Sequence, residues 1–568
     1  MTRFTLRAAL LTGAVLFVGA CGDDPSGPRS DPPVLTGVTP ATGTVGTEVR
    51  IDGSGFEDDA EVFFGGIESP RVVHADGAIF ALAPAGLEAG TTYDVRVSNG
   101  RSADETLEDA FTAVGPTALR INGVSKPIGL IGMTVIIEGA AFGDSMALSD
   151  GTVWFTDASG NPIQATVASP ADDWTDGFIV TTVPNGTADT SLVWVETALG
   201  ASDSIEFRLI QSGTFSPSTI TWTETTPLPQ PLTGLGAVFV PIESGGTATN
   251  YVFTLGGADT TQNAVAAVYR APVEQTGELG EWSPMTSLPQ ARAYAATAAA
   301  TAFTAALDTL TTGAFLYVIG GQDTAGTTVG TVYVARVDLS GNIVGWQATT
   351  ALPTPLHAAS AVVFRGFLYL AGGAGDDDAA VATTYRAAVN SNGTLGAWEA
   401  LDALPTAASH LSLVNFGPYL YAVGGASGTV TPELSGTSGS ERSEVDLARL
   451  DLRTGLLTST GWTATAAMGK ARAKHSTIFG GGALFTTSGV YSGQPGSSEN
   501  AYATVNSDGT LSSWNGATGS DVIENALGIS LYNQAAISFV DASGTGHVLV
   551  LGGASRTSGA PSAGVVYY

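Results

Sequence analysis

Apolar and polar residues alternate with period two along much of this chain, the signature of strands with one buried face. Glu48-Val49-Arg50-Ile51-Asp52 alternates in this way, and Gly53 to Phe56 reads as the turn after it. The same text recurs further on. Gly46-Thr47-Glu48-Val49-Arg50-Ile51-Asp52-Gly53-Ser54-Gly55-Phe56 aligns with Gly132-Met133-Thr134-Val135-Ile136-Ile137-Glu138-Gly139-Ala140-Ala141-Phe142. A strand follows each phenylalanine, Val62-Phe63-Phe64 or Val153-Trp154-Phe155. Each copy closes on another alternating run, Tyr93-Asp94-Val95-Arg96-Val97 or Ser191-Leu192-Val193-Trp194-Val195. Two small all-β units are predicted, over 34–115 and 116–211.

From residue 212 onward a longer pattern repeats six times. Trp222, Trp282, Trp346, Trp398, Trp462 and Trp514 mark the units, 52 to 64 residues apart. Leu-Pro follows the first four tryptophans (Leu228, Leu288, Leu352 and Leu404 lead the pairs), with Met468-Gly469 and Leu527-Gly528 in the last two units. Next comes a strand ending in two glycines, as in LYVIGG at 316, LYLAGG at 368 and LYAVGG at 420. In the fifth unit Ser488-Gly489 takes that place. A further strand carries Tyr269, Tyr333, Tyr385, Tyr502 or Tyr567, with Asp446 standing there in the fourth unit.

The two leading copies resemble the IPT/TIG family of immunoglobulin-like sandwiches, whose core is a glycine, a hydrophobic strand and Gly-x-Gly-Phe. The second copy has Ala141 at the middle glycine. The resemblance implies a spacer or interaction module and brings no catalytic residues. The six later units resemble the Kelch repeat, which implies four-stranded blades in a β-propeller: an inner strand, a strand ending in Gly-Gly, a tyrosine strand and an outer tryptophan strand. The chain ends on Val565-Val566-Tyr567-Tyr568 with no tryptophan strand after it, while a spare one, Gly213 to Trp222, precedes the first unit. The fold class expected is therefore all-β: two Ig-like sandwiches, then over 212–568 a six-bladed Kelch-type propeller closed by an N-terminal outer strand, which leaves no open sheet edge.

The amino end changes the picture. Arg3 and Arg7 precede an apolar run from Ala8 to Ala20, too short for a comfortable membrane span and shaped like a secretory signal peptide over 1–20. Val18-Gly19-Ala20-Cys21 resembles the lipobox of bacterial lipoproteins, which implies that Cys21 carries diacylglycerol and that the mature protein meets the membrane through its lipid. Gly22 after the cysteine, not aspartate, points to the outer membrane of the cell envelope. Residues 21–33, rich in Pro and Gly, read as a flexible tether. Cys21 is the only cysteine, so no intrachain disulfide is available. The formal net charge of −30, with three lysines (Lys126, Lys470, Lys474), argues against nucleic acid as a partner.

Candidate chemistry is sparse. His357, His410 and His475 fall four to six residues after the Leu-Pro or its substitute, at the start of the inner strand in consecutive units, with Tyr294 and Tyr532 at similar offsets and Arg292 and Arg472 just before that strand. These seven are the candidate ligand-binding residues at the channel mouth. Three imidazoles can hold zinc only around one shared ion, and Kelch inner strands are commonly rich in Arg and His, so no metal and no cofactor is expected. His74 in the first copy reads as structural. The propeller has no cysteine for the copper-radical chemistry of galactose oxidase-type relatives. Asn506-Ser507-Asp508-Gly509-Thr510 superficially resembles a sialidase Asp-box but reads better as a turn before an outer strand. Asp376-Asp377-Asp378 offers oxygens that suit calcium, though a solvated acidic loop is the simpler reading. The expectation is a non-enzymatic binding protein for a protein or glycan ligand, with the Ig-like pair as stalk. The alternatives are a carbohydrate-active enzyme at the channel mouth and an assembly scaffold with an apolar patch on one propeller face.

Overall fold

The computed structural model describes residues 32–568 outside 115–118, 210–220, 302–313, 431–439, 491–499, 517–530, 541–545 and some shorter loop stretches. The expected signal peptide and lipobox with Cys21, the segment Gly213 to Ile220 and the side chain of His74 lie outside the described residues. The chain divides into two compact units, 1–117 and 118–568.

The first unit is a sandwich of two sheets. Val34–Thr39, Glu48–Ser54, Ala78–Leu82 and Val72–Ala75 pair in that order; Thr42–Gly43, Glu105–Ala113, Thr92–Ser98, Glu61–Phe64 and Ile67–Glu68 form the other sheet. Period two decides which side chains go inside. Val49 and Ile51 are buried with Val62, Phe64, Val95 and Phe111, and the Phe64 and Phe111 rings meet edge-on at 5.2 Å. The outward positions of the same strands keep cations over aromatic rings: the Arg50 guanidinium lies 5.6 Å from the Phe80 centroid and that of Arg96 lies 3.9 Å from Phe63.

The second unit opens with another two-sheet sandwich. One sheet pairs Arg120–Val124, Thr134–Ala140 and Phe178–Thr182; the other orders Ile128–Gly129, Ile205–Leu209, Thr190–Thr197, Thr152–Thr156 and Pro162–Gln164. Between them lie Val135, Ile137, Phe155, Trp174, Val195 and Phe207, and the buried Trp174 indole donates to the Phe142 carbonyl at 3.0 Å.

Among the described residues the remaining strands form one two-stranded pair, Leu531–Tyr532 with Ala554–Ser555, and six four-stranded antiparallel sheets. Their inner strands are Gly236–Ser244, Ala296–Ala300, Ser360–Phe364, Ser412–Phe416, Ser476–Gly480 and Ala535–Val540. Each inner strand neighbours the next, and the sixth neighbours the first, so the six blades close a ring. Closure happens within the last blade: Thr223–Glu224 pairs with the C-terminal strand in the register Thr223↔Tyr567 and Glu224↔Val566. Trp222, just before it, is buried.

Two recurring hydrogen bonds explain why the repeat is written as it is. The indole N–H groups of Trp282, Trp346, Trp398, Trp462 and Trp514 donate to the carbonyls of Thr226, Thr286, Thr350, Asp402 and Ala466 at 2.7–3.1 Å. Each acceptor stands two residues before the Leu-Pro position, so the outer strand is tied to the segment that enters its own blade. The tyrosines of the diglycine strands, Tyr317, Tyr369 and Tyr421, donate across to the Gly393, Gly455 and Gly509 carbonyls of the next blade at 2.6–2.8 Å. Net contributions of about 1 kcal/mol per bond, repeated around the ring, favour this register over its neighbours. Gly509 belongs to the turn Asn506–Thr510, closed by the Asn506 N–H on the Thr510 carbonyl at 2.8 Å.

An inner strand starts on the face where the diglycines lie and ends at the hairpin on the opposite face. The second sandwich packs on the hairpin face, at blades three and four. Ile136, Phe178 and Val180, on the outer side of its first sheet, share one buried cluster with Phe364 and Tyr369 of the ring. Around them the Arg365 guanidinium bonds Glu138 at 2.6 Å and lies 4.5 Å from the Phe178 centroid, and Arg449 pairs with Asp173. The second copy is therefore fixed to the ring, whereas the sequence suggested two equivalent stalk modules. The face bearing the candidate histidines is left uncovered by it.

Candidate functional site at the channel mouth

Each blade contributes one residue of left-handed conformation just before its inner strand: Gly234, Tyr294, Ala358, His410, Lys474 and Asn533, with φ between 50° and 56°. Five of the six are not glycine, so the backbone there is strained by more than the ring would need for strands alone. A closed girdle of hydrogen bonds holds it. The N–H of each residue donates to the carbonyl of its counterpart in the preceding blade, from Tyr294 to Gly234 around to Gly234 on Asn533, at 2.8–3.1 Å. The girdle lies at the diglycine-side mouth of the channel.

The seven candidates distribute over four levels about this girdle. Tyr294 and His410 belong to it. His357 and Tyr532 stand one residue before it, Arg292 and Arg472 two before, and His475 one after. The sequence placed the three histidines comparably; the structure puts them at three successive positions, which point in different directions. None of the seven is more than 7% exposed. Arg292 and Arg472 turn away from the channel: the Arg292 guanidinium bonds the Ala291 carbonyl and Gln290 and lies 5.3 Å from the Tyr333 centroid, and Arg472 donates to the Ser488 carbonyl at 3.2 Å.

Three of the remaining side chains and one unforeseen residue form a chain across neighbouring blades. The His357 and His410 rings meet edge-on at 6.4 Å, His410 feels the charge of Lys474, and the Lys474 ammonium lies 5.9 Å from the Tyr532 centroid. Lys474, only 2% exposed, was not singled out in the sequence; a lysine at a girdle position has no signal until the blades are aligned residue by residue.

Burial lowers the pKa of all three imidazoles. Burial holds His410 well below the ordinary histidine range, with Lys474 and His357 adding repulsion. His475 is pushed down to about 3, chiefly by burial and then by Arg472, against a weaker opposing pull from the Val423 carbonyl. Burial lowers His357 too, although Asp378 and Asp376 pull the other way.

His357 is the one candidate with a carboxylate beside it. Its Nδ1 meets the Thr328 hydroxyl at 3.0 Å and its Nε2 faces Asp378 at 3.3 Å. This order of hydroxyl, imidazole and carboxylate has the composition of a nucleophilic triad. Its setting does not suit one, because Thr328 is buried and its own N–H is capped by Asp376 at 3.0 Å. A base working near neutral pH also needs a matching pKa, and burial dominates here. The network instead fastens the loop that carries Asp376-Asp377-Asp378 onto blades two and three. Among the described residues no three His, Cys, Asp or Glu side chains converge as metal ligands.

Beyond the girdle the inner strands line an open pocket of about 330 Å³. At one level each blade gives one side chain to its wall: Phe239, Ala299, Val363, Asn415, Phe479 and Ser538. The polar pair is already engaged within the protein, Asn415 with the Gly417 and Tyr419 carbonyls and Ser538 with the Phe479 carbonyl.

Comparison with known proteins adds the following. Residues 33–112 match the IPT/TIG domain family, a non-catalytic immunoglobulin-like module. No curated protein matches the chain. Among solved structures the chain is similar to one titled "Structure of YjhT", with 14% identity over 60% of this chain and 95% of that chain and a TM-score of 0.41.

Proposed function

We propose that this chain is a lipid-anchored binding protein of the cell envelope, held at the outer membrane through Cys21, whose six-bladed ring is a Kelch-type propeller that recognises a protein or glycan through the loops of its diglycine face. In this reading the first IPT/TIG domain is a spacer. The second sandwich is a further IPT/TIG copy that seats the propeller by its hairpin face. The observation that carries binding over turnover is the burial of all seven channel-mouth candidates and their dispersal over four levels, so that these seven do not form an open set of acid, base and nucleophile for a sugar to reach. The scaffold reading loses support as well, because the apolar patch at blades three and four is already occupied by the second sandwich.

The test has two parts. The full chain produced in a bacterial host is labelled with radioactive palmitate, and the label is expected in the wild type and absent from Cys21→Ser. The purified mature chain is then passed over a glycan array and used for capture from envelope extract, with Asp377→Ala and Ala325→Trp as diglycine-face variants. A specific ligand weakened by these variants supports the reading. Label retained in Cys21→Ser, or a ligand insensitive to the loop variants, contradicts it, as does turnover of an array glycan.

A further inference from the structure

The second sheet of the second sandwich carries Trp154, Trp194 and Leu192 on the face turned away from its core; both indoles are half-buried, and Trp194 packs against the buried cluster of the sandwich. Trp154 and Trp194 are register partners on adjacent strands, their ring centroids 6.3 Å apart and their planes 23° from parallel. Leu192 lies two residues along from Trp194, hence on the same face, and is 47% exposed. The Trp154 indole donates to the Glu196 carboxylate at 3.0 Å. Glu206, opposite Leu192 in register, pairs with Arg208 at 2.7 Å. The first sandwich shows what a plain solvent face looks like at the same positions. There Phe63 stands opposite Arg96, whose guanidinium covers the ring and is held by Asp104.

We propose that this indole pair and its polar rim form a binding site for an uncharged glycan chain, a site separate from the loops of the ring. Aromatic faces attract the slightly positive C–H face of a sugar ring by the same quadrupole that attracts cations. The carboxylates of Glu196 and Glu206 accept hydroxyl hydrogen bonds at the edge. Charge excludes the competitors. Two glutamates against one arginine leave the face net negative on a chain of net charge −30, which repels acidic glycans and anionic lipid heads. An apolar protein partner would have to bury the Glu196 carboxylate, which burial disfavours strongly.

Affinity electrophoresis of the purified mature chain tests this, with gels holding neutral polysaccharides (a glucan, a mannan, a galactan) or an acidic one (a polyuronate). Retardation is expected in at least one neutral gel and not in the acidic gel. Trp194→Arg, which installs the residue of the first sandwich, is expected to weaken it at least tenfold, and Leu192→Ser about threefold, both with an unchanged melting temperature. Asp377→Ala, on the ring, is expected to leave it intact, which separates this site from the proposed ring ligand. The proposal is overturned if no neutral gel retards the chain, if the acidic gel retards it equally, if Trp194→Arg and Leu192→Ser both retain wild-type retardation, or if their loss tracks self-association or vesicle binding instead.

Discussion

In the first sandwich the strand Glu48–Ser54 turns Arg50 toward solvent; in the second, the matching strand Thr134–Ala140 turns out Ile136, which is buried against the ring. The inward residues are the same in kind, Val49 and Ile51 against Val135 and Ile137. The contrast between the two strands lies in the outward half of their alternation. A sandwich with polar outward positions can stand in water, and one with apolar outward positions must find a partner to cover them. The second sandwich found the hairpin face of the ring, and Glu138 and Asp173 meet arginines at the edge of that contact.

The sharpest way to break the comparison is to exchange the outward residues. Ile136→Arg places a charge without a partner in the contact and is expected to destabilise the second unit by about 3–5 kcal/mol, read as a fall in melting temperature. Arg50→Ile in the first sandwich is expected to stay within about 0.5 kcal/mol of wild type. Equal effects of the two changes would show that the two faces are alike. Phe178→Ala removes a large side chain buried between the sandwich and the ring and is expected to cost about 3 kcal/mol, measurable by denaturant unfolding.

A pH series sharpens the contrast from the other side of the ring. Burial lowers His475 to about 3, against an ordinary value near 6.5 for the unfolded chain. The unfolded state therefore takes up the proton first. The stability contributed by neutral His475 is complete above pH 6.5 and is lost as pH falls from there toward 3. His475→Gln is expected to flatten that acid slope, and an unchanged slope would contradict the burial of the imidazole. A modest effect belongs to Glu138→Gln. Its pair with Arg365 is partly exposed and is expected to be worth about 0.5–1 kcal/mol, read by a double-mutant cycle with Arg365→Gln.

Much of this architecture was legible because its signals are local and repeated. Trp222 to Trp514, the Leu-Pro pairs and the diglycines each mark a fixed place in a blade, and the hydrogen bonds of the tryptophan indoles show what the spacing preserves. The sequence placed the closing strand at Gly213 to Trp222; the residues that pair with the last tyrosine strand are Thr223–Glu224, and Gly213 to Ile220 lies outside the described residues. The site was not legible in the same way. Period two fails at a residue of positive φ, and the candidate histidines straddle such a residue, so one step along the chain turns a side chain from the girdle toward a blade interior. The union of the second sandwich with the ring did leave a trace, since Thr134-Val135-Ile136-Ile137 loses the alternation kept by Glu48-Val49-Arg50-Ile51. A run buried on both sides looks the same whether its second neighbour is a sheet of its own domain or another domain.

The central claim is that the outward face of the second sandwich is part of the body of the ring. Native-state hydrogen exchange on the mature chain measures this most directly. The amides of Thr134–Ala140 and Phe178–Thr182 are expected to exchange through the same cooperative opening as those of Ser360–Phe364 and Ser412–Phe416, and Ile136→Arg is expected to uncouple the two sets. Exchange of the sandwich strands through a separate, lower-energy opening in the wild type, with the ring strands still protected, would contradict it.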